Sequence, residues 1–150
     1  MANTSAICSS FKQELLQGKH NFASSGGDTF KIALYDSAAT LGASTTGYSS
    51  SEEITNTSGT AYQATGAELT RTGVGLTGTT AFTDFGDVTY TSASFTANAA
   101  LIYNTTTGTS TGTTNAVCAI AFGGDKTASN GTFKIEFPTN DATAAITRLA

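Results

Sequence analysis

Two short stretches with the same three-residue motif decide the fold: FKIALY at residues 30–35 and FKIEF at residues 133–137. Their large apolar residues occupy every second position: Phe30, Ile32 and Leu34 in the first stretch, and Phe133, Ile135 and Phe137 in the second. The residues between them are Lys31, Ala33 and Tyr35, and Lys134 and Glu136. A period of two is typical of a strand with one buried face and one solvent face. We therefore predict two strands in sheets that are packed on one side only.

The shared motif has two interpretations. The twin segments are either equivalent strands of two sheets, or unrelated strands in which Thr-Phe-Lys-Ile is simply good strand chemistry. One shared tripeptide does not decide between them.

The composition indicates a single domain that associates with other molecules. A chain of 150 residues buries roughly 70% of its unfolded surface without needing disulfides or metals. Charged residues make up only 12% and tryptophan is absent, while Thr, Ser, Ala and Gly are plentiful. Free cytosolic enzymes usually stay soluble through surface charge. A composition with so few charged residues is more typical of a protein that packs against copies of itself or against partners.

The charge balance argues against nucleic-acid binding. The formal net charge is −4, and no Lys or Arg occurs between Arg71 and Lys126. Nucleic-acid binding relies on clustered basic residues that displace counterions. The two cysteines form no disulfide framework, and Cys118, in the apolar run AVCAIAF, is predicted to be a small buried hydrophobe without a disulfide.

No stretch approaches the roughly 20 consecutive apolar residues of a membrane span. The first residues, MANTSAIC, lack the basic region and apolar core of a signal peptide. The sequence therefore predicts a protein that is made in a cytoplasm, has no membrane partner, and leaves the cell only within a virion or through a secretion machine.

One amphipathic helix is predicted over residues 5–18, followed by a flexible hinge at ASSGGD, residues 23–28. The helix prediction rests on apolar residues at intervals of four and their neighbours: Ile7, Phe11 and Leu15, with Cys8 and Leu16 beside them. Gly18 stands where such a helix would end. We predict two units, an N-terminal helical arm over residues 1–22 and a β-sandwich domain over residues 23–150.

Beyond residue 28 the chain consists of short apolar segments separated by Gly, Asn, Ser and Thr. The predicted strands are Phe30–Tyr35, Ala61–Ala64, Glu68–Thr72, Val88–Tyr90, Ser94–Ala97, Ala99–Tyr103, Ala116–Phe122, Thr132–Phe137 and Ile146–Leu149. Many short strands without further helical periodicity indicate a mainly β fold, an antiparallel β-sandwich or jelly-roll-like domain with one N-terminal α-helix.

Several motifs resemble parts of catalytic or nucleotide-binding sites, but the residues that would have to accompany them are absent from the sequence. His20 is the only histidine and no serine near it lies in a nucleophile-elbow pattern, so we predict a cation at a helix end. The tripeptide DFG at residues 84–86 lacks the other kinase motifs. The segment GGDK at residues 123–126 lacks the ending of a phosphate-binding loop and is predicted to be a tight turn.

Carboxylates in Gly- and Thr-rich turns offer a further possibility. Asp84 and Asp87, with Glu52, Glu53 or Asp125, are the residue types of a glycosidase pair or of a Ca²⁺ site. Aspartate in such turns more often caps the main chain. We therefore predict no catalytic residue, no cofactor and no metal, and a protein that is not an enzyme.

Four long stretches carry a resemblance that runs nearly from end to end. They are SAICSSFKQELLQGKHNF at 5–22, DTFKIALYDSAATLGASTTGYS at 28–49, TAFTDFGDVTYTSASFTANAALIYN at 80–104 and AFGGDKTASNGTFKIEFPTNDATAAITRLA at 121–150. Together they resemble a family of small virion structural proteins of tailed bacteriophages, frequent in marine and cyanobacterial phages. The resemblance implies a capsid cement or decoration protein, which sits as trimers on the outer shell and clamps neighbouring capsomers of the major capsid protein. It implies no catalytic residue.

Two routes to such contacts follow from the residues. The predicted arm would present Ile7, Phe11, Leu15 and Leu16 to a neighbour, or else these residues cover the open end of the chain's own sandwich. The sheet edges are the second route, since a strand from another chain would satisfy their free N–H and C=O groups.

Two other functions stay open at this point. A tail, baseplate or fibre component would contact the host surface, with glycan bound through exposed aromatic rings: Tyr48, Tyr62, Tyr90 or Tyr103. An enzyme would need a pocket in which at least two titratable groups converge.

Overall fold

A computed structural model describes residues 2–55, 62–106 and 115–150. Its elements are β1 (Ala6–Ile7), α1 (Ser9–Leu16), β2 (Phe30–Tyr35), β3 (Ala67–Leu69), β4 (Arg71–Thr77), β5 (Thr80–Phe85), β6 (Val88–Asn104), β7 (Ala116–Ile135) and β8 (Thr147–Leu149). Every strand pair is antiparallel. The predicted class, mainly β and antiparallel with one N-terminal helix, is confirmed.

The strands form a five-stranded sheet in the order β1-β7-β6-β2-β3 and a three-stranded sheet in the order β4-β5-β8. Aromatic rings join the two sheets in a sandwich-like arrangement. The Phe85 ring, at the end of β5, lies 5.5 Å from the Phe30 ring of β2, centroid to centroid. Phe22, in the segment between α1 and β2, stacks on Phe30 with ring centroids 4.6 Å apart and packs in the same space.

Strand β2 has the predicted bounds, but the prediction that one of its faces meets solvent is wrong. Ala33 and Tyr35, on the predicted solvent face, are 0% and 1% exposed. The long connection after β2 folds back over this face. The Tyr35 hydroxyl holds it there by donating a hydrogen bond to the carbonyl of Ser49 at 2.7 Å. Lys31 lies at the rim of the covered face, where its Nζ donates to the Thr65 hydroxyl at 2.9 Å.

Strands β6 and β7 are each much longer than predicted. The sequence divides them into shorter strands at polar and glycine-rich positions, whereas the structure carries the ladder through these positions as bulges. The predicted turn at GGDK is one such place, since Gly123 and Gly124 adopt φ of 72° and 135° inside β7. Because β2 and β7 belong to one sheet, the interpretation of the twin FKI motifs as equivalent strands of two sheets is wrong.

Other strand predictions differ in their bounds. β5 was not predicted, and the predicted strand at 68–72 is divided between β3 and β4. Of the predicted strand at 61–64, residue 61 lies outside the described residues and residues 62–64 form no strand. The predicted C-terminal strand is confirmed as β8.

The N-terminal segment packs on the chain's own sheet. Ala6 and Ile7 pair with Ala119 and Cys118 of β7, so the helix begins only at Ser9 and not at residue 5. Gly18, with φ of 68°, ends the helix as predicted. These contacts belong to the alternative in which the segment covers the chain's own sandwich.

The segment 23–28 is a compact turn held by side chains and not a free hinge. Arg71 of β4 donates from Nε to the carbonyl of Ala23 at 2.9 Å and from Nη1 to the carbonyl of Asp28. The Asp28 amide donates to the carbonyl of Asn21 at 2.8 Å. Gly27 has no room for a side chain, because a Cβ there would lie 2.2 Å from the Ala23 oxygen. The predicted boundary at residue 22 therefore falls within continuous packing.

Within the described part of the chain, α1 is the helix, and it is too short and too polar to cross a membrane.

Candidate interaction surfaces

The four residues predicted to form one interface lie in different surroundings. Phe11 is 1% exposed, with its ring among those of His20 and Phe22. Ile7 and Leu15 are partly buried against the core, and Leu16 is 92% exposed. The structure therefore does not bring them together on one free face of the helix, and their part in an interface stays a prediction.

Leu15 lines a cleft between the end of α1 and the three-stranded sheet, which we call the helix–sheet cleft. Its volume is about 420 Å³. Its apolar lining comes from the helix end, the following segment and all three strands: Leu15, Phe22, Val74, Ala81 and Leu149. Leu16 follows Leu15 in the chain and is 92% exposed, but it does not line this cleft.

Strand register explains why the sheet side of the cleft is apolar. Leu76, Ala81 and Leu149 are directly opposite one another on β4, β5 and β8. Val74 lies two positions before Leu76, so its side chain points to the same side of the sheet. We call Val74, Leu76, Ala81 and Leu149 the apolar face.

The large residues of the apolar face are strongly exposed. Val74, Leu76 and Leu149 are 65%, 70% and 56% exposed. Clustered apolar residues of this kind mark interaction sites more often than isolated ones do. Sequence reasoning missed them, although one signal was present: no charged residue occurs between Arg71 and Asp84, so the part of the β4–β5 hairpin over residues 72–83 has no charged side chain.

A second apolar groove, lined by different residues, lies between β7 and the C-terminal segment, and we call it the β7 groove. Its volume is about 400 Å³. Its apolar lining includes Ile7, Ile120, Ile135, Phe137 and Ile146. Ile7, one of the predicted interface residues, therefore lies at a different surface from Leu15 and Leu16.

The sequence predicts that His20 is a cation at the helix end. In the structure its side chain is completely buried. Its Nε2 lies 2.7 Å from Glu14 Oε2, and its Nδ1 lies 3.1 Å from Asn104 Nδ2. Since the Asn104 amide donates to Nδ1, Nε2 carries the proton that binds Glu14. Both ring nitrogens are occupied, so the imidazole has no free position for general-base chemistry.

The candidate carboxylates bind main-chain amides, as the turn interpretation predicts. Asp84 is fully buried and accepts hydrogen bonds from the amides of Phe85 and Ile146 at 2.8 and 3.1 Å. Burial raises the pKa of Asp84 above its usual value. Asp87 accepts from the Phe137 amide at 2.9 Å, and this bond, with that from Lys134, lowers the pKa of Asp87. Both carboxylates fasten the C-terminal segment to the β5–β6 connection.

Two other carboxylates also have structural partners. Asp125 Oδ1 accepts from the Asn98 amide group at 2.8 Å. Glu53 accepts from the hydroxyls of Tyr48 and Tyr62, both at 2.5 Å, and from the Thr65 amide at 2.8 Å. Glu53 therefore fastens the connection after β2 to itself and to the sheet.

The tyrosines considered for glycan binding do not form an exposed aromatic face. Tyr62, Tyr90 and Tyr103 are 0%, 3% and 4% exposed. Tyr48 is partly buried and stacks on Tyr103 with ring centroids 4.9 Å apart. Burial raises the pKa of Tyr103 to about 12, which is the behaviour of a hydroxyl removed from water.

Among residues 2–55, 62–106 and 115–150, no three His, Cys, Asp or Glu side chains come close enough to hold a metal ion. Comparisons with protein-family models, with curated proteins and with solved structures find no match to this chain.

Proposed function

We propose that this protein is a non-enzymatic structural protein of a tailed-bacteriophage virion. In this proposal it is a capsid cement or decoration protein, which forms homo-oligomers, as trimers, and clamps neighbouring capsomers of the major capsid protein. Nucleic acid, membrane and cofactors have no part in it. The proposal rests on the family resemblance of the sequence and on the surfaces described above.

The observation that carries the proposal is the combination of the apolar face with exposed Leu16. These side chains are already in water, so a partner that covers them gains about 25 cal/mol for each Å² of apolar surface removed from water. Three of the four residues of the apolar face, Val74, Leu76 and Ala81, come from the stretch between Arg71 and Asp84, which contains no charged residue. A protein that must lie close to many copies of itself benefits from such a surface, because like charges would repel.

The described carboxylates and His20 also support a contact function over a reaction. Asp84 and Asp87 bind main-chain amides of the C-terminal segment, and Glu53 binds the Thr65 amide within its own connection. Their geometry stabilises loops, and no two of them face a common cleft where a substrate would meet both.

The test uses heads assembled from the major capsid protein of the phage that encodes the chain, without the chain itself. Wild-type protein should sediment with the heads and raise the temperature at which they rupture. A Leu16→Lys and Leu149→Lys double variant should sediment far less, because two charges would enter an apolar contact. A Thr91→Lys and Thr132→Lys double variant adds the same charge at exposed positions of β6 and β7 and should bind as wild type does.

Fractionated virions give an independent result. Cement protein should be found with the heads and absent from isolated tails. Recovery with tails, combined with lost host adsorption in the Leu16→Lys and Leu149→Lys variant, would replace the proposal with the alternative of a tail, baseplate or fibre component. Absence from purified virions would refute both.

A further inference from the structure

Strand β4 has a free edge with outward main-chain groups. Its partner in the three-stranded sheet is β5 alone, and Thr77 opposite Thr80 closes a two-residue hairpin. In such a hairpin the closing pair exchanges both main-chain hydrogen bonds, and the following pairs alternate. The N–H and C=O groups of Val74 and Leu76 therefore point away from β5. Among the described residues, no hydrogen-bond partner meets these groups.

The regular stretch of the edge, residues 74–77, lacks the side chains that usually prevent strands from joining. Lysine, proline and inward charges are the common ones, and residues 74–77 contain none of them. Arg71, the nearest charged residue in β4, is directed to the carbonyls of Ala23 and Asp28. A register shift between Arg71 and Val74, where Gly73 has φ of 90°, ends the regular edge. The free stretch is thus short and well delimited.

We propose that this edge pairs with β4 of a second copy of the chain, antiparallel and around a two-fold axis at Gly75. In this register Val74 lies opposite Leu76 of the partner subunit, and Leu76 lies opposite Val74 of the partner subunit. Both are the residues with outward main-chain groups, so each pair exchanges both hydrogen bonds. The two three-stranded sheets then join into one, and their apolar faces become continuous.

Several features favour a second copy over an unrelated strand. The outward residues pair with each other reciprocally, as an isologous contact requires. No charged residue in the stretch meets its own copy across the axis. Gly75 on the axis has no Cβ, and the Phe82 ring already fills that side, since a Cβ would lie 2.4 Å from Phe82 Cζ. Gly75 and its copy therefore add no side chains that must pack against each other on the faces of the joined sheet. This two-fold contact of the isolated protein is separate from the trimer contact on the capsid in the proposed virion role, and the inference does not depend on that role.

The first test is sedimentation equilibrium of the isolated protein over a range of concentrations. Wild type should pass from monomer to dimer, and a Val74→Lys and Leu76→Lys double variant should raise the midpoint concentration by about tenfold or more, because like charges would lie close together at the joined edge. Leu149→Lys, on the apolar face but away from the edge, should dimerise as wild type does. Equal loss of dimer in Leu149→Lys would show that faces, not edges, are in contact, and would overturn the proposal.

The second test fixes the register and does not depend on lysine variants folding. Residues in a hydrogen-bonded antiparallel pair have Cα atoms about 5.5 Å apart, which a disulfide spans. A Val74→Cys and Leu76→Cys double variant should form covalent dimers on mild oxidation, whereas Val74→Cys alone should not, since the two Val74 residues are not opposite. The native Cys8 and Cys118 are buried and give little background. A strictly monomeric wild type, a trimer without the crosslink, or crosslinking only to another protein would each overturn the proposal.

Discussion

Replacing Phe11 by Ala should destabilise the whole domain. The Phe11 side chain is 1% exposed, and its ring lies 4.9 Å from that of His20 and 5.9 Å from that of Phe22, centroid to centroid. Truncating a buried phenylalanine costs about 3–5 kcal/mol, because packing is lost and a cavity remains. For a domain of this size about 1 kcal/mol shifts the melting temperature by roughly 2–4 °C, so Tm should fall by about 6–20 °C.

The assay is thermal unfolding followed by circular dichroism, with urea unfolding as a second measure of the free energy. The matched control is Leu16→Ala in the same helix. Leu16 is 92% exposed, so this change should alter stability by less than about 0.5 kcal/mol. Both variants should keep the far-ultraviolet spectrum of wild type at low temperature.

A Phe11→Ala variant that melts within about 2 °C of wild type would refute this reasoning. It would mean that Phe11 is not part of the core in solution, and that the segment before residue 22 is a separate arm. Loss of head binding by that variant, with stability unchanged, would then identify the arm as the capsid contact.

Three further outcomes are expected. Glu53→Ala should cost about 1.5–3 kcal/mol in urea unfolding, because the buried Tyr62 hydroxyl loses a charged acceptor; an unchanged midpoint would contradict this. Burial raises the pKa of Cys8 to about 11, so neither Cys8 nor Cys118 should react with a thiol reagent at pH 8 until urea unfolds the chain; fast labelling of native protein would disagree. The folded-state pKa of Asp87 is lowered from 3.8. The stability that ionised Asp87 contributes is therefore present above pH 3.8 and is lost as the pH falls through the lowered pKa. The difference in urea midpoint between wild type and Asp87→Asn should shrink only below pH 3.8.

The sequence predicted the class of the fold and β2 well because their signal is local. Alternating apolar residues identify a strand wherever one face is buried, and FKIALY gives that signal directly. The signal says nothing about what covers the other face. The burial of Tyr35 depends on a connection whose return over the sheet is fixed by long-range hydrogen bonds, such as the bond to Ser49.

The bounds of β6 and β7 failed for a different physical reason. Glycine and polar clusters usually mark turns, so the sequence predicts a tight turn at GGDK. A long two-stranded ribbon absorbs the same residues as bulges, because an unpaired residue with positive φ bends a strand without ending its ladder. Ser92 and Asn130, with φ of 52° and 49°, do this on β6 and β7. Local composition does not distinguish a bulge from a turn.

The sequence indicates only some of the residues that form the candidate surfaces. The place of Leu15 and Leu16 on an amphipathic helix draws attention to both, and Leu15, though not Leu16, lines the helix–sheet cleft. Val74 and Leu76 alternate with glycine and look like an ordinary half-buried strand. Their exposure follows from the position of β4 at the edge of a small sheet, which only the strand order reveals.

The contacts of the N-terminal segment with its own sheet bear on which surface a partner would bind. To reach a neighbour, residues 2–22 would first have to leave the β7 edge and expose Phe11 and Phe22, each worth about 1.5–3 kcal/mol of burial. A partner would have to restore that loss before gaining any affinity. Val74, Leu76 and Leu149 incur no such loss, because they are exposed beforehand. Deleting residues 2–22 should therefore unfold the β domain and not merely detach it from a capsid, which hydrogen exchange of β7 amides in the truncated chain would reveal.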